Sequence, residues 1–271
     1  VDLKRLGTVA DADEIRDTAN AQPLLVAGGL IGALRLFGEK LLNVSYVAGH
    51  SVGEITASVF AGALDQVSAM KLVHTRGAQM AIAAKDSNTG MSAVLGGERE
   101  VVVAAITAAG LTPANENGGG QIVAAGSLTA LDAFAQNPPQ GSRVRALAVS
   151  GAFHTSTMAP AVPHLASLAN SLTVSEPKLP FISNKDGAVV RNGREVLDRI
   201  VNQISNPVRW DLCMTTLSEN ISGALEVPPA GTLVGLLKRA VPVVETFALK
   251  SVADLTLADE FALRHNQEAS N

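Results

Sequence analysis

Hydrophobic and polar positions fall into three rhythms along the chain. Apolar residues recur at near-helical spacing over 13–37, which predicts a helix with a break near Gly28 and Gly29. A short strand is predicted over 43–48, running into Gly49, and a helix over Gly53–Phe60. A second helix is predicted over 67–84, with apolar Ala69, Leu72, Val73, Met80 and Ala84. The middle of the chain then changes style. Residues 90–97 read as a strand, 98–109 as a helix, 112–117 and 120–126 as two strands around a glycine-rich turn, 128–135 as a helix and 143–149 as a strand. That order, βαββαβ, is the split-βαβ or ferredoxin-like unit. The Asp-Ser-Asn-Thr-Gly stretch at 86–90 serves as its hinge. After Gly151 the first style resumes, with strands at 178–184, 224–231 and 243–249, a helix at 233–241, and a polar tail from Glu260 that is expected to fray.

This rhythm predicts an α/β fold in which a large domain with a parallel central sheet, residues 1–87 and 152–271, carries the ferredoxin-like insert at 88–151. Composition is consistent with it. At 271 residues and 47% hydrophobic the chain can bury a large core, and with only 3% aromatics that core must be Ala, Val and Leu. A net charge of −4 excludes the basic excess of a nucleic-acid binder. Cys213 is the single cysteine, so disulfides and four-cysteine zinc sites are impossible, and a reducing, cytoplasmic location is expected. The most apolar stretch, 23–38, contains Arg35 and is short for a membrane span, so no membrane role is expected. The histidines lack ligand spacing, so no metal is predicted.

Chemistry concentrates in "VAGHSVGEITASVFAGAL", residues 47–64, where Ser51 occupies a Gly-x-Ser-x-Gly frame between a predicted strand and a predicted helix. A serine on such a turn projects its hydroxyl outward, and the following helix offers free N–H groups to a developing oxyanion, that of Val52 first. The bland alternative is a glycine-rich turn whose serine caps the helix. A nucleophile needs a base. His50 adjoins Ser51 but should point away from it; His74 lies within a helix and His265 in the tail; His154, in "SGAFHTS", falls where the insert ends. His164 remains as a second candidate, though a surface helix suits it better. No acid can be assigned: Glu54, Asp65, Asp86, Glu98, Glu100, Glu116 and Asp132 lack a clear strand-end setting, and Asp186 follows a strand only after His154. A Ser–His dyad oriented by a main-chain carbonyl is chemically allowed.

Four motifs in order, "GHSVGE" (49–54), "TRG" with Arg76, "GAFHT" (151–155) and "NPVRW" (206–210), together resemble the malonyl-CoA:acyl-carrier-protein transacylases of fatty-acid synthesis across nearly the whole chain. The resemblance implies the fold already described and a ping-pong acyl transfer through a malonyl-serine ester on Ser51, with His154 as base. It implies that the backbone carbonyl of Gln203 orients His154 and that Arg76 binds the malonyl carboxylate. Apart from the resemblance, an arginine on a helix would be read as solvent-exposed. It further implies a selectivity role for Phe153 against an α-methyl group, compatible with core packing, and a substrate contact for Asn117, which beside Gly118 also suits a turn. The "VPPAGTL" segment is read as a structural turn.

Coenzyme A enters as the substrate thioester and no bound cofactor is implied; the partners are malonyl-CoA and an acidic acyl carrier protein, for which Lys238, Arg239, Arg191 and Arg194 are candidate contacts. The family begins with a strand and a Gly-Gln-Gly-Ser-Gln-like loop whose glutamine supplies a second oxyanion N–H. The sequence starts past that segment, which is expected either to belong to the protein outside these residues or to be lost at the cost of one oxyanion donor; the link from Gly38 to Val47 is also short against longer relatives, so residues are expected to be missing there too. The competing readings are a serine esterase or thioesterase and a non-catalytic scaffold that binds carrier protein. A carboxylate clamp separates the first from a transferase; catalysis lost with Ser51 separates the second.

Overall fold

The computed structural model describes residues 1–38, 44–85, 87–149 and 151–268, without the side chains of 267 and 268. Three helices open the chain: α1 (Leu3–Thr8), α2 (Ala12–Arg16) and α3 (Thr18–Phe37). The predicted helix over 13–37 is thus broken, but at Asp17 and not at the glycine pair. Asp17 leaves helical geometry and its carboxylate accepts from Ala19 N–H, so it starts α3. Gly28 and Gly29 stay helical. At 20 residues with a mean hydropathy of 1.2, α3 is long and apolar enough to cross a membrane, contrary to the expectation from 23–38 alone. Here it packs along α5 (Gln66–Ala84), burying among others Val26, Leu30 and Ala33.

Between them lie β1 (Val47–Ala48) and α4 (Gly53–Phe60). Asn43, the expected start of β1, and Asp86, the start of the expected hinge, lie outside the described residues. The next run is β2 (Thr89–Gly96), α6 (Arg99–Ala108), β3 (Thr112–Gly118), β4 (Gln121–Ser127), α7 (Leu128–Gln136) and β5 (Ser142–Ala146). The predicted βαββαβ order is present. The sheet order is β5-β2-β4-β3, antiparallel throughout, over a core of Val94, Val102, Ile106 and Phe134.

A short 3-10 turn (Ser156–Ala161) and α8 (Val162–Ser171) lead to β6 (Phe181–Ile182), β7 (Val189–Val190), α9 (Gly193–Gln203), β8 (Val208–Arg209) and α10 (Trp210–Ser218). The chain closes with β9 (Gly223–Glu226), α11 (Thr232–Ala240), β10 (Glu245–Ala248) and α12 (Leu255–Glu268). Among the described residues the sheet outside the insert is in pieces. β1 pairs parallel with β6, β7 pairs antiparallel with β6, and β9 and β10 form a separate parallel pair. One continuous parallel sheet was expected; two-residue strands leave too few ladder bonds to join these pieces.

β8, unforeseen in the sequence, pairs parallel with β3 and adds a fifth strand to the insert's sheet, matching Val208 to Asn115 and Arg209 to Glu116. The tail is helical where fraying was expected, because Ala258 and Phe261 share one face of α12; Ala258 joins a small core with Leu36 and Leu249. His265 on that helix bonds Ser222 and Glu245.

Candidate active site

Parallel pairing of β1 with β6 sets the site's origin. The register puts Ala48 opposite Ile182, so both strands end at the same edge and their next residues meet. Gly49, His50 and Ser51 follow one strand; Ser183 and Asn184 follow the other. Asn184 Nδ2 donates to Gly49 O at 2.8 Å, and its Oδ1 accepts from Ser51 N–H at 2.7 Å.

Ser51 itself has φ 53°, a left-handed conformation that a side chain disfavours and that the surroundings must hold. Gly53 N–H donates to His50 O and Glu54 N–H to Ser51 O, closing the turn into α4. The frame's two glycines are unequal. A Cβ on Gly49 would lie 2.1 Å from Gly53 backbone atoms, whereas one on Gly53 would meet nothing within 4 Å. Only Gly49 is required by the crossing of the chain over itself. The N–H of Val52 has no acceptor among the described residues.

The base and its support come from far along the chain. Ser51 Oγ lies 2.8 Å from His154 Nε2, and His154 Nδ1 lies 2.9 Å from the carbonyl of Gln203. Gln203 is the last residue of α9, and terminal carbonyls lack intrahelical partners, so this one accepts from His154 as well as from Asn206 N–H at 3.1 Å. With Nδ1–H donated there, Nε2 presents its lone pair to the hydroxyl. His154 is 4% exposed and has φ 61°. Burial, then the charge of Arg76, hold its pKa down at about 3, so the ring is neutral near pH 7.

Arg76 lies on the inward face of α5, in register with Ala69, Leu72, Val73 and Met80, and is 1% exposed. Its Nη1 donates to Gln22 Oε1; its Nη2 donates to Gln203 Oε1 at 2.9 Å and to Ser51 Oγ at 3.2 Å. Its Nε is buried without a partner. Every hydrogen-bond acceptor is thus an amide or hydroxyl oxygen, and no carboxylate is among them. Burial lowers the guanidinium pKa to about 10, with Glu54 acting in the opposite sense, so it stays charged. Gln22 reaches it because α3 starts close to α5. A Cβ on Gly77 would lie 2.9 Å from Thr18 O.

The remaining expectations divide. Asn117, near the end of β3, accepts from His50 Nε2 through its Oδ1 at 2.8 Å and donates to Gln121 Oε1; it joins the insert to the serine turn. His50 points away from the hydroxyl, edge-on to Trp210, and burial lowers its pKa. Phe153 is half-buried and packs against both the large core and Met91, Ala114 and Val123 beneath the insert's sheet. His74 and His164 face outward on α5 and α8, and Asp186 is paired with Arg199 away from the site. Among the described residues, no cluster of three or more His, Cys, Asp or Glu could hold a metal.

Sequence reasoning missed Gln22, Asn184 and the side chains of Glu54 and Gln203. Only Glu54 had a visible signal, as the last residue of "GHSVGE".

A strained serine bonded to a neutral histidine beside a buried, carboxylate-free arginine, on a mixed α/β frame, is an arrangement suited to chemistry through an acylated serine. The model of the acyl transferase domain family matches residues 2–262, and the chain belongs to that family: it is an acyltransferase. It is 48% identical to the malonyl CoA-acyl carrier protein transacylase of Mycobacterium tuberculosis, over 97% of this chain and 87% of that one. The crystal structure of MCAT from Mycobacterium tuberculosis matches with a TM-score of 0.91 at 47% identity, covering 96% of this chain and 87% of that one. A malonyl-transacylase solved in complex with its type II PKS acyl-carrier protein matches with a TM-score of 0.88 at 31% identity, covering 96% and 86%.

Proposed function

We propose that the chain is a malonyl-CoA:acyl-carrier-protein S-malonyltransferase. One observation carries this reading: the same hydroxyl, Ser51 Oγ, is contacted by a neutral imidazole at 2.8 Å and by a buried guanidinium at 3.2 Å. A thioester carbonyl placed on Ser51 leaves the far carboxylate of a malonyl group within reach of Arg76, which binds it bidentately in a dry setting. The names of the relatives point to the same substrates.

In the first half-reaction Ser51 Oγ attacks the thioester carbon while its proton passes to His154 Nε2. The N–H of Val52 stabilises the oxyanion. The carbon–sulfur bond breaks, and coenzyme A leaves as the thiol with the proton from His154. The phosphopantetheine thiol of acyl carrier protein then gives its proton to His154 and attacks the ester; the carbon–oxygen bond breaks and Ser51 recovers its proton. No cofactor enters this balance. Burial is the larger cause of the low His154 pKa and the charge of Arg76 the second; the malonyl carboxylate neutralises Arg76 and so raises the basicity of the ring.

In this reading residues 1–87 and 152–271 form a hydrolase-like domain, and 88–151 a ferredoxin-like subdomain that supplies Asn117 as a substrate contact. Phe153, packed at the seam between the two cores, crowds an α-methyl group, a discrimination worth about 1–3 kcal/mol. An acidic carrier protein meets Lys238 and Arg239, both exposed at the end of α11 beside the β3–β4 turn, with Arg191; Arg194 is partly engaged by the Ala169 carbonyl. The reaction is assigned to the cytoplasm on the strength of the single buried cysteine.

Incubation with radiolabelled malonyl-CoA tests this. Label is expected on Ser51, chased onto holo acyl carrier protein and absent in Ser51→Ala. Arg76→Ala is expected to lower malonyl transfer about 10²–10³-fold, the scale of leaving one member of a buried charge pair alone. Release as free malonate without transfer would mean a hydrolase. Unlabelled wild-type protein would leave only the scaffold.

A further inference from the structure

Glu54 is a buried carboxylate with no part in the reaction above. It lies on α4, three residues past the nucleophile, and is 1% exposed. No hydrogen bond or ion pair joins it to His154 or Arg76, though it interacts with the arginine through charge. Its Oε1 accepts from Asn184 N–H at 2.6 Å and its Oε2 from Gln203 Nε2 at 2.5 Å. The Gln203 amide therefore has its nitrogen drawn toward Glu54, with weaker contacts to Ser51 O at 3.1 Å and Asn184 Oδ1 at 3.2 Å. That leaves Gln203 Oε1, by elimination, as the group facing Arg76 Nη2.

An amide has two unlike ends, and which end faces the guanidinium matters. An oxygen orients and holds Arg76; an NH₂ group would repel it and leave a second buried donor unsatisfied. Only a carboxylate offers an acceptor oxygen to each of the two donors at once. A glutamine at 54 has one oxygen for two N–H groups.

We propose that Glu54 is a positioning residue for acyl-group selection: through the Gln203 amide it holds Arg76 in the orientation that receives the malonyl carboxylate. This rests on the function proposed above and deepens it, by tracing selectivity to a residue that does not touch the substrate.

The charged or titratable groups around Glu54 are Arg76 on α5, Arg199 on α9 and Cys213 on α10. Burial pushes the Glu54 carboxyl up to about 8, against the pull of Asn184 N–H, Arg76 and the Gln203 amide. Assays belong above that pH, where the carboxylate is ionised.

The test measures single-turnover acylation of Ser51 by malonyl-CoA and by acetyl-CoA, which lacks the distal carboxylate, in wild type, Glu54→Gln, Gln203→Met and the double variant. Thermal melting reports folding. In Glu54→Gln the malonyl-to-acetyl ratio of rate over half-saturating concentration should fall about tenfold, mainly through weaker malonyl-CoA saturation. Gln203→Met should lower the ratio similarly, and Glu54→Gln should add nothing further in that background, because both act along one path. An unchanged ratio in folded Glu54→Gln, or equal losses with both thioesters, overturns the proposal. So do additive effects in the double variant. Should Glu54→Gln fail to fold, an unchanged ratio in Gln203→Met overturns it and a lowered one supports it. Wild-type protein that takes no malonyl group from malonyl-CoA would instead refute the proposed function, a distinguishable failure.

Discussion

Two glycines flank Ser51 in a five-residue frame, yet only one is sterically required. A methyl group on Gly49 would collide with the backbone where the turn crosses itself, while one on Gly53, the first residue of α4, would meet open space. Gly49→Ala is expected to destabilise the fold by about 1–3 kcal/mol, the cost of overpacking a tight site. Gly53→Ala is expected to be neutral or to stabilise by less than about 1 kcal/mol, since alanine favours helix. Urea unfolding of the two variants checks this, and equal effects would show that the frame works by symmetry. The same scale shows how an inward arginine is legible. Arg76 falls in the i, i+3, i+4 register of Ala69, Leu72, Val73 and Met80, so the face predicted to be core already contained it. Composition argued for exposure; register argued for burial, and register prevailed because Gln22 and Gln203 cover the guanidinium's polar edge.

At the scale of elements, helix ends do much of the positioning. The C-terminus of α9 offers its carbonyl to His154, and the N-terminus of α11 is closed by one side chain. Glu226, at the end of β9, accepts from Gly231, Leu233 and Val234 N–H at 2.9–3.0 Å. The "VPPAGTL" segment is thus a turn stapled by the residue before it. Glu226→Ala should cost about 1–2 kcal/mol, the range for losing a helix cap, and calorimetric melting measures it. Sequence periodicity recovered five of the insert's six elements to within a residue at each end, because each is long enough to show its own rhythm, and ran β5 three residues too far. It missed α1, β7, α9, β8 and α10, and read the region of α12 as a frayed tail. The strand β8 has two residues, too few for any alternation, and exists only because β3 offers it an edge.

For the whole molecule, burying the site carries a titration signature. Folding lowers the pKa of His154 from 6.5 to about 3, and that of His50 also falls. A lowered histidine pKa means the unfolded chain takes up protons first. The stability contributed is complete above pH 6.5 and is lost progressively as pH falls from there toward 3. Glu54, raised to about 8 in the fold, contributes in the opposite sense over the same range, so the histidine signature is read as a difference: between about pH 7.5 and 5.5 denaturation should show wild type losing stability relative to His154→Gln. A slope identical in wild type and variant would place the linkage elsewhere.

By itself the sequence determined what is local: which stretches are helix or strand, the serine turn, and the order of motifs that marks the family. Neighbouring residues along a chain set backbone conformation and side-chain period, and these survive without knowledge of the fold. Tertiary structure alone decided which distant groups share one volume. The parallel register of β1 and β6 brings Asn184 to Ser51. The end of α9 brings Gln203 to both His154 and Arg76. Close packing of α3 on α5 brings Gln22 to the arginine. Those partners are amides with no motif of their own, chosen because a buried charge and a buried imidazole must have their hydrogen bonds met by whatever the fold places beside them.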